Sequence, residues 1–340
     1  MNEKVTGEVE MATAAEAKAA DREKIVILDA QFHNPGDLSW DHFGELGELR
    51  IVESVRQVEV PKLIKDATVV LTTVTRFTRK IFEGAKNLKY LGALTIGYDL
   101  IDLEAAKEFG VTVTNVPGFC SATVGQHAVA LLLEICNHVG YYGAEVREGR
   151  WVKSRPKCYT DFPILELDGL TMGVVGLGRI GLAVARAAVG LGMRVLADQD
   201  HPNPRSDRLA EYVPLPQVMS RSDVLVLACP LTPSTERMIN RESIAGMKDG
   251  VIIINVARGK LIDEEALSEA LYYKKVRAAG LDVVSVEPLT AHNPLGKARN
   301  VFMTPHLAGT SLAARKRLMA SGWENLFQFL KGNPVNVVGG

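Results

Sequence analysis

Cysteine, long apolar runs and blocks of like charge are scarce in this chain, and each scarcity removes a class of protein. The four cysteines, Cys120, Cys136, Cys158 and Cys229, are scattered with no CxxC pair, so neither a disulfide framework nor a thiolate metal cluster is spelled out. Lys and Arg number 39 against 40 Asp and Glu, a formal charge of -1. No dense basic block breaks that balance, which argues against nucleic acid and anionic membrane as partners and leaves small neutral or singly charged molecules. No uninterrupted apolar stretch approaches the roughly 18 residues of a membrane span. The N-terminus lacks a basic-then-apolar signal segment, so a reducing, cytoplasmic setting is expected.

What is present is an alternation of short apolar strands with helical stretches. Residues 1–22 are rich in Ala, Glu and Lys and nearly free of large apolar side chains, and read as an N-terminal extension. From Lys24 the strand candidates are KIVILDA, LRIVES, ATVVLTTV, LKYLGAL and VTVTNV, with RKIFEGAKN and DLEAAKEFG among the connectors. A long helix is expected from about Ala122 to Val139, then an irregular arm from Tyr141 to Leu167. A second strand set follows: TMGVVG, MRVLAD, DVLVLACP, VIIINVA, AAGLDVV and VFMTP. A last helical pattern, SLAARKRLMASGWENLFQFL, has apolar positions that call for a covering domain. Strands alternating with helices imply parallel sheets covered on both faces, hence two doubly wound α/β domains.

GVVGLGRIG contains a GxGxxG, Gly176, Gly178 and Gly181, after the strand Met172–Val175 and opening a helix. That context asks for glycine three times: for a tight turn, for close backbone approach to a pyrophosphate, and for close helix-to-strand packing. The ribose-binding acid belongs about 20 residues further on, where the chain reads Asp198-Gln199-Asp200. Two carboxylates repel a 2′-phosphate and no Arg or Lys follows until Arg205, so NAD is favoured over NADP.

In VIIINVARGKLIDEEAL the run Val251–Ile254 reads as a strand buried on both faces. Asp263-Glu264-Glu265 reads as the cap and acidic first turn of a helix that turns Ala266, Leu267, Ala270 and Leu271 inward. Arg258 therefore stands just past the carboxyl end of a central strand, the edge where open α/β sheets bind ligands. Glu287 in GLDVVSVEP and His306 in TPHLAG follow two further strands. Singly, these three have ordinary readings as a solvated arginine, a turn glutamate and a capping histidine. Together, beside a dinucleotide loop, they read as a catalytic set.

GLGRIG, CPLTPST, NVARGKLIDEEAL, GLDVVSVEP and TPHLAG, in that order and spacing, resemble the D-2-hydroxyacid dehydrogenases. The resemblance runs from about residue 24 to 335. Within that family the chain is similar to the glycerate dehydrogenase or hydroxypyruvate reductase branch through LTIGYDLIDLEAAKEFGVTVTNVP and GQHAVALLLEICNHVG. The resemblance implies a Rossmann nucleotide-binding domain at 119–306 inserted in a flavodoxin-like substrate domain, 23–118 and 307–340. It also implies a homodimer built on the nucleotide domains, engaging the long helix and the arm.

By the same resemblance Arg258 holds the carboxylate of a 2-oxo acid, His306 protonates the ketone oxygen as hydride reaches C2, and Glu287 pairs with His306 and raises its pKa. Gly178, Arg179 and Ile180 would meet the pyrophosphate. Asp198 or Asp200, on either side of Gln199, would meet the ribose, and Pro230 and Thr235 would flank the adenosine. Val256 and Asp282 would lie near the nicotinamide, Asp282 holding its carboxamide, with Val124 at the cofactor's other face. The backbone around Ile96 and Gly97 would help bind the substrate carboxylate.

The chain departs from relatives at Gln199, where many carry Asp, and at Leu100, where many carry Asn. Thr72, Thr73 and Val74 form the expected substrate-facing loop without a cationic clamp, which argues against a phosphorylated substrate. Glu287 argues against the formate-oxidising relatives, which use glutamine there. No metal is expected: His127 and His138 share a helical face but stand about 16 Å apart, and both read as packing or interface residues. A rival from another class is a nucleotide-sensing binding protein that keeps this fold and acts through protein association.

Overall fold

The computed structural model describes residues 22–206 and 209–339. The extension read at residues 1–22 thus lies outside the described residues except for Arg22. The chain divides into two compact units, one running to Phe119 and resuming at Leu312, the other Cys120–Ser311.

The first unit is built on a parallel sheet of β1 (Lys24–Ile27), β2 (Glu48–Ile51), β3 (Val69–Thr72), β4 (Tyr90–Ala93) and β5 (Thr112–Thr114). Their order is β2-β1-β3-β4-β5, a doubly wound arrangement of flavodoxin type. β3 and β4 are buried throughout, as unalternating apolar strands covered on both faces should be. Thr72, read from sequence as part of a substrate-facing loop, is instead the last residue of β3, paired with Ala93 and 2% exposed. The chain leaves the sheet only after it, so Thr73 and Val74 remain on the loop. Ile96 and Gly97 follow β4, and the carbonyl of Ile96 accepts from Asn115 Nδ2 at 2.7 Å.

The terminal helix Leu312–Leu330 belongs to this same unit. Its own sheet supplies the cover that the sequence suggested another domain must give, with Phe329 against Tyr90 at 4.8 Å between ring centroids. Arg315, buried on that helix, forks onto the Asp37 carboxylate, with Nη2 at 2.7 Å from Oδ2.

The second unit has seven parallel strands: β6 (Thr171–Val175), β7 (Arg194–Asp198), β8 (Glu211–Val213), β9 (Val224–Leu227), β10 (Val251–Asn255), β11 (Val276–Leu281) and β12 (Val301–Met303). Their order is β12-β11-β10-β9-β6-β7-β8. The first strand in sequence is central and the order reverses between β6 and β9, which places a topological switch point there. All five residues of β10 are buried, between β9 and β11. The helix after it, Glu264–Tyr272, is capped by the Asp263 carboxylate, which accepts from Ala266 N, and buries Ala266, Leu267, Ala270 and Leu271. Those are the four inward positions its 3.6-residue period demanded.

Two elements of this unit differ from the sequence reading. β8 is a three-residue edge strand whose polar first residue and short length hide it among turns. The long helix Ser121–Asn137 ends where His138 adopts a left-handed φ of 51°, and a second helix restarts at once over Val139–Arg147, followed by a short one at Arg150–Lys153. The expected irregular arm is therefore partly helical. Arg150 ties it, donating to Asp161, Glu145 and Tyr141.

Candidate active site

Because all seven strands of the second unit run parallel, their carboxyl ends share one edge. That edge receives the glycine loop after β6, Asp198 at the end of β7, Pro230 and Thr235 after β9, Arg258 after β10, Asp282 and Glu287 after β11, and His306 after β12. β10, β11 and β12 are neighbours, so the three sequence-predicted catalytic residues follow adjacent strands.

The glycines divide by what a side chain would meet. Gly176 has φ of +94° and its Cβ would stand 2.6 Å from Cys229 N, because the loops after β6 and β9 touch at the switch point. A Cβ on Gly181 would lie 2.2 Å from the carbonyl oxygen of Gly176. At Gly178 nothing lies within 4 Å. Protein packing accounts for the first and third glycines but leaves the second unexplained, and the second is the one expected at the approach of a pyrophosphate. Arg179 and Ile180 open the following helix, whose N-terminal N–H groups favour an anion. A dinucleotide fits these residues.

Around the loop, Asn203 Nδ2 donates to Leu177 O at 2.6 Å and so fastens the segment after β7 to the glycine turn. The Asp198 carboxylate contacts His201, with Oδ2 at 2.9 Å from Nδ1, while Gln199 faces solvent. Thr235 Oγ1 donates to Pro230 O at 2.8 Å and knits its own loop. Val124 and Val256 are 5% and 7% exposed, so each offers a ligand only a small apolar contact.

His306 Nδ1 lies 2.6 Å from Glu287 Oε2, and both side chains are 37% exposed. Burial pushes the Glu287 carboxyl up. The hydrogen bond and charge of His306, the Val284 N–H and the Arg258 charge outweigh that and hold it below its ordinary value. Arg258 Nη1 donates to Ala257 O at 2.9 Å, and its own carbonyl accepts from Asn255 Nδ2 at 2.8 Å, so the last strand residue pins the turn that presents the guanidinium. Cys229, on the neighbouring loop, offers no nucleophile at neutral pH: burial pushes its thiol up to about 11.

Asp282 is 2% exposed, and both of its oxygens are engaged within the protein. Oδ1 accepts from Leu307 N at 2.9 Å and Thr304 Oγ1 at 2.6 Å; Oδ2 accepts from Ala308 N at 2.9 Å. Its carbonyl takes the N–H of His306 at 2.9 Å. His306 itself has φ of +52°, a strained conformation for a non-glycine residue that such over-determined surroundings sustain. The carboxylate for which the resemblance implied a cofactor contact thus builds the turn that carries the histidine. Leu307–Ser311 stay with this unit accordingly, and Thr123 Oγ1 adds a 2.8 Å contact to Ser311 Oγ.

Sequence reasoning missed a role for His127. Rather than only filling space, its Nε2 lies 2.9 Å from Thr304 Oγ1 and 3.5 Å from Asp282 Oδ1, behind the histidine turn. Since the Thr304 hydroxyl donates to Asp282, the His127 N–H donates to Thr304. The partners are 177 residues apart, and no local pattern announces them. Among the described residues no cluster of three or more His, Cys, Asp or Glu is placed to hold a metal ion.

A doubly wound sheet with a dinucleotide loop at its switch point, and Arg, Glu and His on three adjacent strand ends, defines a nicotinamide-dependent oxidoreductase. The family described as D-isomer specific 2-hydroxyacid dehydrogenase, NAD binding domain, matches residues 129–308. A hydroxypyruvate reductase of Blautia hydrogenotrophica is 47% identical over 319 residues, covering 93% of this chain and 99% of that protein. Another, from Thermotoga maritima, is 41% identical over 281 residues, covering 82% and 90%. The structure of a D-lactate dehydrogenase from Aquifex aeolicus complexed with NAD and lactic acid superposes with a TM-score of 0.81 at 27% identity, covering 93% of this chain and 99% of that one. The chain belongs to the D-isomer specific 2-hydroxyacid dehydrogenases, oxidoreductases acting on CH–OH groups. That membership favours turnover over the nucleotide-sensing alternative. No helix among the described residues is long and apolar enough to cross a membrane.

Proposed function

We propose that this chain reduces a small 2-oxo acid of the hydroxypyruvate or glyoxylate type with NADH, and oxidises the matching D-2-hydroxy acid in reverse. The observation that carries the reading is the 2.6 Å contact of His306 Nδ1 with Glu287 Oε2, beside the strand end that bears Arg258. Nδ1 faces the Glu287 carboxylate, and in this reading the substrate's proton is assigned to Nε2. A bound nicotinamide supplies the hydride. As hydride reaches C2, the imidazolium gives its Nε2 proton to the carbonyl oxygen and keeps Nδ1–H on Glu287; oxidation runs the same transfer backwards. The Arg258 guanidinium, planar and permanently charged, matches the substrate carboxylate in two parallel hydrogen bonds.

NAD is preferred to NADP in this reading, because the Asp198 carboxylate at the end of β7 meets a ribose diol but repels a 2′-phosphate. The substrate is small and unphosphorylated in this reading, since Thr73 and Val74, on the loop that the family resemblance assigns to substrate, offer no cationic clamp for a phosphate. A homodimer uses the arm of the second unit, where Val139, Val146, Trp151, Val152 and Ile164 are exposed, Val152 at 90%. Apolar surface of that kind marks an association site.

The test is NADH absorbance with hydroxypyruvate, glyoxylate, pyruvate and longer 2-oxo acids, repeated with NADPH. NADH oxidation is expected first with hydroxypyruvate and glyoxylate, and with NADH ahead of NADPH. Measurable NADH binding without turnover of any acid overturns the proposal.

A further inference from the structure

We propose that Glu264 is a positioning residue that sets Glu287 against His306; the inference rests on the catalytic reading of those two residues. Glu264 opens the helix Glu264–Tyr272. A glutamate in a first helical turn ordinarily faces solvent and complements the helix dipole. Here both oxygens are taken by a loop that belongs to another strand end. Oε1 accepts from Ser285 N at 2.6 Å, and Oε2 accepts from Ser285 Oγ at 2.6 Å and Asn293 Nδ2 at 2.9 Å.

Ser285 and Asn293 bracket Glu287. Every residue between them, 286 to 292, is exposed, so the stretch that carries the catalytic carboxylate has little packing to fix it. Its ends are fixed instead. Asn293 is buried and also caps the turn Pro294–Lys297, its Oδ1 accepting from Leu295 N at 2.9 Å. On the other side, a Cβ on Gly259 would stand 1.9 Å from Val284 C and 2.3 Å from Ser285 N. The residue next to Arg258 therefore seats directly on the backbone that Glu264 grips. Through Gly259 and Glu264, the turn after β10 and the loop after β11 hold one mutual position, and with it the placement of guanidinium and carboxylate.

The experiment is a double-mutant cycle in the full chain: Glu264→Ala in the wild-type and Glu287→Gln backgrounds, with His306→Ala as control, following kcat with NADH and the best 2-oxo acid, and NADH binding by fluorescence. In the wild-type background kcat is expected to fall about 10- to 100-fold, the cost of a roughly 1 Å misplacement, with NADH affinity held. In the Glu287→Gln background the same change is expected to cost less than about threefold, because residues that act through one another are not additive. Glu264→Gln, which keeps an acceptor for Ser285 N, should recover part of the loss. An equal fold loss in both backgrounds, or none in the first, overturns the proposal while the His306→Ala loss stands. Full kcat in both His306→Ala and Glu287→Gln instead overturns the catalytic reading beneath it. Should Glu264→Ala fail to fold, Ser285→Ala removes one of the three bonds outside the helix, and the same background dependence decides.

Discussion

His306 and Glu287 come from adjacent strand ends, 19 residues apart, and meet at 2.6 Å between Nδ1 and Oε2. The contact orients the imidazole with one nitrogen committed, and it keeps the carboxylate ionised against the burial that opposes it. Position and protonation state come from the same pair, so the pair is where substitutions should be most informative.

His306→Ala is expected to lower kcat by roughly 10²- to 10⁴-fold, the range attributed to a positioned acid or base, while NADH affinity stays near wild type. Stopped-flow measurement of the hydride step, where chemistry limits turnover, checks it. An unchanged rate for that step would remove His306 from the mechanism.

How far sequence carried the description can be judged from single residues. That Arg258, Glu287 and His306 share one sheet edge was legible because strands covered on both faces are continuous apolar runs, and in a parallel sheet the residues after each run reach one edge. The helix after Asp263 was legible to the residue, since capping and a 3.6-residue period are local. What stayed hidden depends on contacts across the fold. Glu264 read as a helix-start acid because its partners Ser285 and Asn293 stand 21 and 29 residues away. His127 read as packing because Thr304 lies 177 residues on. The helix over Val139–Arg147 was hidden by the left-handed His138 that separates it from its predecessor. Resemblance supplied a ligand role for Asp282, yet could not show that turn N–H groups and a hydroxyl already occupy its oxygens.

Glu287 should titrate below the ordinary glutamate value of about 4.3. Although burial raises it, the His306 hydrogen bond and charge, the Val284 N–H and the Arg258 charge prevail. A folded pKa depressed in this way contributes stability that is fully present above the unfolded value and lost as pH falls through the folded one. Carbon-detected NMR of the side-chain carboxyl reads the midpoint directly. A value at or above the unfolded one means that burial outweighs the His306 hydrogen bond and the neighbouring positive charges.

Arg258→Lys keeps the charge but loses the planar fork. Loss of a charge-assisted hydrogen bond of about 1.5–3 kcal/mol corresponds to a fall in kcat/KM of roughly 10- to 150-fold, with NADH affinity held. If the ratio stays level across the 2-oxo acid panel, the carboxylate is gripped by another group.

Gly259→Ala tests the seat beneath Arg258. The added methyl meets Val284 C at 1.9 Å and Ser285 N at 2.3 Å, and both are backbone, so no side-chain rotation relieves the clash. Overpacking of this kind costs about 1–3 kcal/mol, read as a lower urea midpoint at unchanged slope. Because the displaced backbone leads to Glu287, kcat should fall as well. A variant with wild-type stability would show that the two loops are free to separate.

Asp282→Asn distinguishes a turn-building carboxylate from one reserved for the cofactor. Asparagine offers one oxygen and one NH₂ where three donors converge: Leu307 N, Ala308 N and Thr304 Oγ1. At least one buried donor then faces another donor, an arrangement that costs about 1–3 kcal/mol. The left-handed backbone of His306 loses part of the frame that sustains it. Stability and kcat should therefore fall together even in assays saturated with NADH. If the role were only to hold the cofactor, the urea midpoint of the NADH-free protein would not move and excess NADH would restore kcat. The intramolecular bonds already filling both oxygens make the first outcome the expected one.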